Sequence, residues 1–508
     1  MSSLFELSGK KRTYWLTRFM ILRLLGIVYA VAFLVAIQQI IPLIGVNGLT
    51  PVGIYLQEIS TALGSQSAAF WKLPSLFWFW HSDTALLTVS WIGFILSCLV
   101  ALGFANAIIM AALWILYMSI VHVGQIWYGY GWEIQLLETG FLAIFLCPLV
   151  DMRMFPKRKA PLPVIFLFRF LIFRIMLGAG MIKLRGSKLW SNATALFYHF
   201  ETQPLPGPLS RWFFFLPHFI LKIGVWYNWL AELVAPFFAF GPRITRHIAG
   251  IVMIMLQVIL ILSGNLSFLN WLTIVPALAC FDDGFWATIL PGSLVRKAEE
   301  AENHSEESKP MKITSWVVVA LVAVLSIQPL MNILSPTQIM NTSYDPFDLV
   351  NTYGAFGTVG EIRYNVVFEG TNDEQPDSSA NWKPYIYKGL PVRLDERPPQ
   401  VAPYHLRLDW QMWFASMASP SQYPWTLNLV WKLLQNDPST LELFEKNPFP
   451  DGPPKYVRAV LYTYQFAKPD NKEGKWWKRE RQGLWLPAFS TSSKDLLLYL
   501  KERGWVKE

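Results

Sequence analysis

His199 and Glu201 stand two residues apart in the run HFETQPLP, and Thr202, Gln203 and Pro204 follow at once. On an extended segment both side chains face one way, which suits an acid–base pair or half of a metal site. Pro204, Pro206 and Pro208 predict a stiff, non-helical loop. No HExxH pattern or second ligand pair lies nearby. No metal site is therefore assigned, and a structural hinge, a partner-binding element and a catalytic loop stay open. A second group of ionisable residues lies inside apolar stretches: Arg169, Arg174, Glu138 and Glu232, with Arg23 and Lys222 adding cation. At about 1.5 Å of rise per residue, Arg169 lies at the depth of Glu232 and Arg174 at that of Glu138. The pairs Arg169–Glu232 and Arg174–Glu138 are expected, with charge reversal at Glu138 rescued by reversal at Arg174. The competing reading is a cation-rich, water-filled pocket for an anionic headgroup or carboxylate.

The elements that position these groups are apolar helices. The chain has 508 residues, 53% of them apolar and 15% charged, with a mean hydropathy of +0.32, against about 25% charged in soluble domains. Apolar runs long enough to cross a bilayer recur near 16–41, 84–104, 107–123, 133–150, 162–182, 216–240, 247–263, 266–281 and 313–334, so about nine spans are expected. Thirteen Lys and Arg flank the spans on the side of Lys10, Lys11 and Arg12, against five on the other. This places the N-terminus in the cytoplasm and, with an odd count, the C-terminal region outside it. The first span carries no small-residue cleavage site and reads as an anchor. Gly178, Ala179 and Gly180 in the fifth span predict close approach of another helix.

The sequence divides into a multi-span membrane domain (1–295), a polar cytoplasmic linker (296–312), a last transmembrane helix (313–334) and a terminal α+β domain (335–508). The last part holds 20 cations and 20 anions. The +8 net charge thus sits beside the membrane and fits contact with anionic lipid, not nucleic acid. Residues 361–369 and 456–466 alternate as half-buried strands, and 406–417, 425–435 and 493–503 read as helices. His405 and Asp409 are placed to hydrogen-bond along the first of these, with Trp410 and Trp413 either in the core or on an exposed client surface. KWWKRER (475–481) suits lipid headgroups or an acidic partner. Motifs for nucleotide, nicotinamide or thiol–disulfide chemistry are absent, Cys98, Cys147 and Cys280 all lie in apolar spans, and no cofactor is read. His122 ends the third span and reads as a hydrogen-bonded structural histidine. The sequons at Asn192, Asn265 and Asn341 are weak.

The stretch RFLIFRIMLGAGMIKLRG (169–186), Trp190 and HFETQPLP (199–206) resemble the lipase maturation factor family. So do NTYGAFG (351–357), PYHLRLDWQMWF (403–414), PWTLNLVWKLL (424–434), NPF (447–449), PPKYVR (453–458) and RGW (503–505), in family order over nearly the whole chain. The resemblance implies a multi-pass membrane protein, of the endoplasmic reticulum in animals, that assists folding or assembly of secreted lipases. It implies client contact through the terminal domain, with Asn351, Tyr353, Phe356, Arg407, Asp409, Trp410 and Trp413 as candidates. Animal members carry cysteines near the segment matching 385–405, where this chain has none, and it ends RGWVKE without a retention signal. Both point to a bacterial member with a periplasmic terminal domain. The alternatives are a membrane enzyme acting on a lipid or lipid-linked group, distantly carboxylase-like, and, more weakly, a transporter, disfavoured by the lack of an inverted repeat.

Overall fold

The computed structural model describes residues 13–506, so Lys10, Lys11 and Arg12 lie outside the described residues. Each of the nine apolar runs is helical: α1 (Trp15–Ile44), α2 (Asp83–Leu102), α3 (Ala107–Val123), α4 (Gly131–Leu146), α5 (Leu162–Arg185), then, after a short α6 (Leu196–Thr202), α7 (His218–Trp229), α8 (Arg243–Ser263), α9 (Leu269–Ala277), and α10 (Lys309–Leu325) with α11 (Ile327–Leu334). Five of these helical segments are long and apolar enough to cross a membrane: α1, α2, α5, α8 and Lys309–Leu334. Their outward faces are apolar. Ile244, Ile248, Ile251 and Met255 of α8 and Ile313, Trp316, Val317 and Val324 of α10 are all exposed, as a lipid-facing surface requires. The runs 133–150, 216–240 and 266–281 are shorter or interrupted in the structure. In 216–240 the cause is Pro236, which cannot donate to the Glu232 carbonyl. The chain widens there into a π-turn, Leu230–Val234.

Helix ends are tied across long sequence distances. The Asp283 carboxylate accepts the N–H groups of Trp15 at 2.7 Å, Leu16 at 2.8 Å and Thr17 at 3.2 Å, meeting the unpaired donors at the start of α1. Arg23 donates to the carbonyls of Val100 at 2.8 Å and Gly103 at 2.9 Å, closing the far end of α2.

The terminal part builds an antiparallel sheet, β1 (Arg363–Thr371), β2 (Lys383–Pro384), β3 (Tyr456–Phe466) and β4 (Trp477–Phe489), in spatial order β2-β1-β3-β4, beside a small ribbon of Ile386–Tyr387 with Phe444–Lys446. Arg363 pairs with Tyr464 and Thr371 with Tyr456 in register. Helices α12 (Arg407–Ser416), α13 (Trp425–Leu434) and α14 (Lys494–Glu502) lie alongside. The alternation in β3 matches a half-buried strand, but β1 departs from it. Arg363, Asn365, Val366, Val367 and Phe368 are all buried, because α12 and the short helix α6 both pack against the strand. One apolar core runs without a break from Tyr29 and Phe33 in α1 to Val366, Trp410 and Tyr464.

Candidate functional site: the seam between membrane helices and terminal domain

The residues singled out for chemistry converge where the terminal sheet and α12 meet the ends of the membrane helices. His199 and Glu201 do not form a pair. The segment carrying them is helical, so two residues of separation turn their side chains to nearly opposite sides. His199 packs edge-on against Phe356 at 5.0 Å. Burial, and secondarily the charge of Lys183, lower its pKa to about 4. The Glu201 carboxylate instead accepts the backbone N–H of Phe466, at the end of β3, at 2.6 Å. Burial pushes its pKa up, against the pull of that N–H and of Arg363.

Arg363 is the centre of this contact. Its guanidinium, 1% exposed, donates to three successive parts of the HFETQPLP loop: the carbonyls of Glu201 at 3.0 Å, Gln203 at 2.5 Å and Pro204 at 3.0 Å. Burial lowers its pKa to about 9, opposed mainly by Glu201. Trp413 adds a bond from its indole N–H to the Thr202 carbonyl at 3.0 Å. The Gln203 amide ties the loop to Ser263 at 2.8 Å. Asn265, at the tip after α8, receives the N–H groups of Val401 and Ala402 and donates to the Pro399 carbonyl. Its sequon is thereby consumed inside the fold.

A second contact is built on the ion pair of Arg174 with Glu138, which the structure brings together. NTYGAFG lies across it. The other Glu138 oxygen accepts the Asn351 N–H at 3.0 Å and the Tyr353 hydroxyl at 2.6 Å, and Arg174 donates to the Asn351 carbonyl at 2.8 Å. Gly178 and Gly186 admit this segment. A Cβ at Gly178 would overlap the Tyr353 carbonyl and one at Gly186 the Gly357 carbonyl. Of the two glycines in that stretch, Gly180 serves the expected helix approach, facing Leu233 and Glu232. Trp190 donates to the Phe356 carbonyl at 2.8 Å.

The expected pair Arg169–Glu232 is not formed. Lys183 instead donates to Glu232 at 2.6 Å and to the Asn228 side-chain oxygen at 3.1 Å. Arg169 turns to the Ala279 carbonyl at 2.8 Å and the Tyr14 hydroxyl. Its charge closes the carbonyl end that follows α9, which equal depth in two helices cannot reveal.

The third contact lies around α12. Arg407, fully buried, pairs with Glu133 at 2.8 Å, donates to the Trp127 carbonyl and stacks on Tyr128 with its Cζ 3.4 Å from the ring centroid. Gln39 of α1 donates to the His405 carbonyl at 2.7 Å and accepts the Arg407 N–H at 3.0 Å. The expected His405–Asp409 bond is not made, because His405 precedes the helix. Its ring packs among Tyr130, Trp132 and Trp410. One Asp409 oxygen accepts the N–H groups of Gly389 at 2.7 Å and Leu390 at 3.0 Å. Burial pushes the carboxyl up to about 6, opposed by those two N–H groups. His122 is tied to the Pro74 carbonyl at 2.7 Å and Asp348 at 3.1 Å. In KWWKRER, Trp477 is buried and stacks on Phe466 at 4.3 Å, and Trp476 lies under Arg211.

All seven residues expected on a client surface thus lie at or near the seam. Phe356 and Trp413 are half-buried and the other five are buried. Arg363, Glu133, Gln39 and Asn265 were not among the candidates. Their signal in sequence is a polar side chain inside an apolar or alternating run.

Fold and site together define a multi-pass helical membrane protein whose α+β domain is keyed into its own membrane helices. The chain belongs to the lipase maturation factor family. Residues 16–288 match the Lipase maturation factor transmembrane domain and residues 349–487 the Lipase maturation factor C-terminal domain. The chain is 44% identical to Lipase maturation factor 1 of Bos taurus over 97% of this chain and 92% of that protein. It is 41% identical to Lipase maturation factor 1 of Homo sapiens, over 97% and 91%. To Lipase maturation factor 2 of Homo sapiens it is 28% identical, over 96% and 85%. No solved structure gives a significant match.

Proposed function

We propose that this protein is a membrane-embedded maturation factor that assists folding or assembly of secreted proteins, lipases among them. The observation that carries this is kinship over both halves at once: relatives named for lipase maturation match 97% of the chain, membrane helices and terminal domain together. The domain order 1–295, 296–312, 313–334 and 335–508, nine crossings, a cytoplasmic N-terminus and an extracytoplasmic terminal domain belong to the same reading. The excess of cations on one side of the helices supports that orientation. A platform locked at three contacts holds the terminal domain at fixed height above the bilayer, where it shields apolar client surface until assembly completes.

The reading as an enzyme using His199 and Glu201 is not favoured. The two groups point apart, and Glu201 is occupied by the Phe466 N–H. The test is to express a secreted lipase in cells lacking their own maturation factor, with and without this chain. Secreted lipase activity per molecule should rise several-fold with the chain present. Equal specific activity in both would defeat the proposal. A reporter fused after Glu508 checks the orientation: it should be active only when designed to work beyond the cytosol.

A further inference from the structure

Between the first half of α5 and nearly the whole of α10 the membrane surface opens into a cavity of about 970 Å³. Phe166, Phe170, Phe240, Trp316, Val319 and Val322 make its apolar walls. Its mouth carries Arg158, Lys159, Lys309 and Lys312, with Ser308, Glu306 and Glu307. Arg158 is engaged: it pairs with Glu306 at 3.1 Å and donates to the Glu307 carbonyl. Lys159, Lys309 and Lys312 are exposed, and no ion pair joins any of them to a carboxylate among the described residues. The mouth is therefore net cationic even with Glu307 counted against it.

The dimensions select the occupant. From Lys309 to Val322 the helix rises about 20 Å, the depth of one leaflet of a roughly 30 Å hydrocarbon core with its interfacial layer. Charge sits only at one end of that length and apolar surface fills the rest. A water-soluble anion would leave the aromatic walls uncovered, and a zwitterionic lipid would bring a further ammonium group to a mouth that already holds three. We propose that this groove holds one anionic phospholipid. Its phosphate meets Lys159, Lys309 and Lys312, and an acyl chain lies along Phe166, Phe170, Trp316 and Val319. The bound lipid then fills the space between α10, the helix leading to the terminal domain, and α5, which carries Arg174 and Gly178 of the seam and ends at Gly186.

The test uses the full chain in nanodiscs of phosphatidylcholine doped with phosphatidylglycerol, followed by transfer to detergent and quantitation of retained lipid. The wild type should retain phosphatidylglycerol over phosphatidylcholine by roughly 30-fold, given three lysines less Glu307, a net excess of two cations, at the headgroup level. Lys309→Ala with Lys312→Ala should bring the ratio near parity, while Lys297→Ala, an exposed lysine outside the groove, leaves it unchanged. Val319→Trp, which fills the wall without touching charge, should abolish retention of both lipids in protein that still elutes as a single species. Parity in the wild type, an equal effect of Lys297→Ala, or full retention in Val319→Trp would each overturn the site. So would displacement of the lipid by millimolar inorganic phosphate, which would mark a simple ion site.

Discussion

Arg363 spends its charge on three carbonyl oxygens of a loop about 160 residues earlier. Hydrogen bonds to a charged group contribute about 1.5–3 kcal/mol each when removal strands a buried partner. Arg363→Ala should therefore destabilise by several kcal/mol, and Arg363→Lys should not rescue, because one ammonium cannot match the planar fork. Thermal unfolding in detergent measures both. Asp409 makes a pH prediction. Its folded pKa of about 6 lies above the unfolded value of 3.8. Relative to Asp409→Asn, its contribution is fully present below about pH 4 and is lost as pH rises through about 6, by about 3 kcal/mol at most. The stability difference between wild type and Asp409→Asn, followed from pH 4 to 7, should shrink in that sense; a flat difference would contradict it. Glu138 and Arg174 revise the expected charge-swap rescue. Each also serves NTYGAFG, so Glu138→Arg with Arg174→Glu faces donors with donors at Asn351 and Tyr353. Yield of folded protein from the double variant should be no better than from either single one.

Elements carry the seam through space as much as through charge. At Gly178 and Gly186 the backbone of 353–357 lies where a Cβ would go. Gly178→Ala and Gly186→Ala should each destabilise by about 1–3 kcal/mol, whereas Gly53→Ala, with only ordinary contact at 3.6 Å to His81, should be tolerated; denaturation midpoints of the three decide this. At this scale the sequence was most legible. Periodicity located the apolar helices and the three helices of the terminal part within a few residues, since both follow from local spacing. It failed where tertiary contact overrode local pattern. The 196–202 segment is helical although prolines follow it, and β1 is covered on both faces. The motifs HFETQPLP, NTYGAFG and PYHLRLDWQMWF were recognisable as unusual, but not as partners in one interface. Their hydrogen bonds across the seam join residues from 159 to 368 apart, and no periodicity reports on such distances.

In the whole molecule the two halves share one core. A terminal domain released on its own would expose Arg363, Arg407, Tyr353 and Trp410 together. Expressed as residues 335–508, it should be aggregation-prone or only partly folded, judged by size-exclusion profile and protease sensitivity; a monodisperse, protease-resistant fragment would refute the shared-core account. The same feature sets an order of events during biosynthesis. Glu133 and Glu138 are synthesised more than two hundred residues before their partners Arg407 and Asn351. Newly made helices thus wait with acidic groups half-answered until the last third of the polypeptide has been delivered. That interval is when a cell's surveillance machinery can tell an unfinished copy from a finished one.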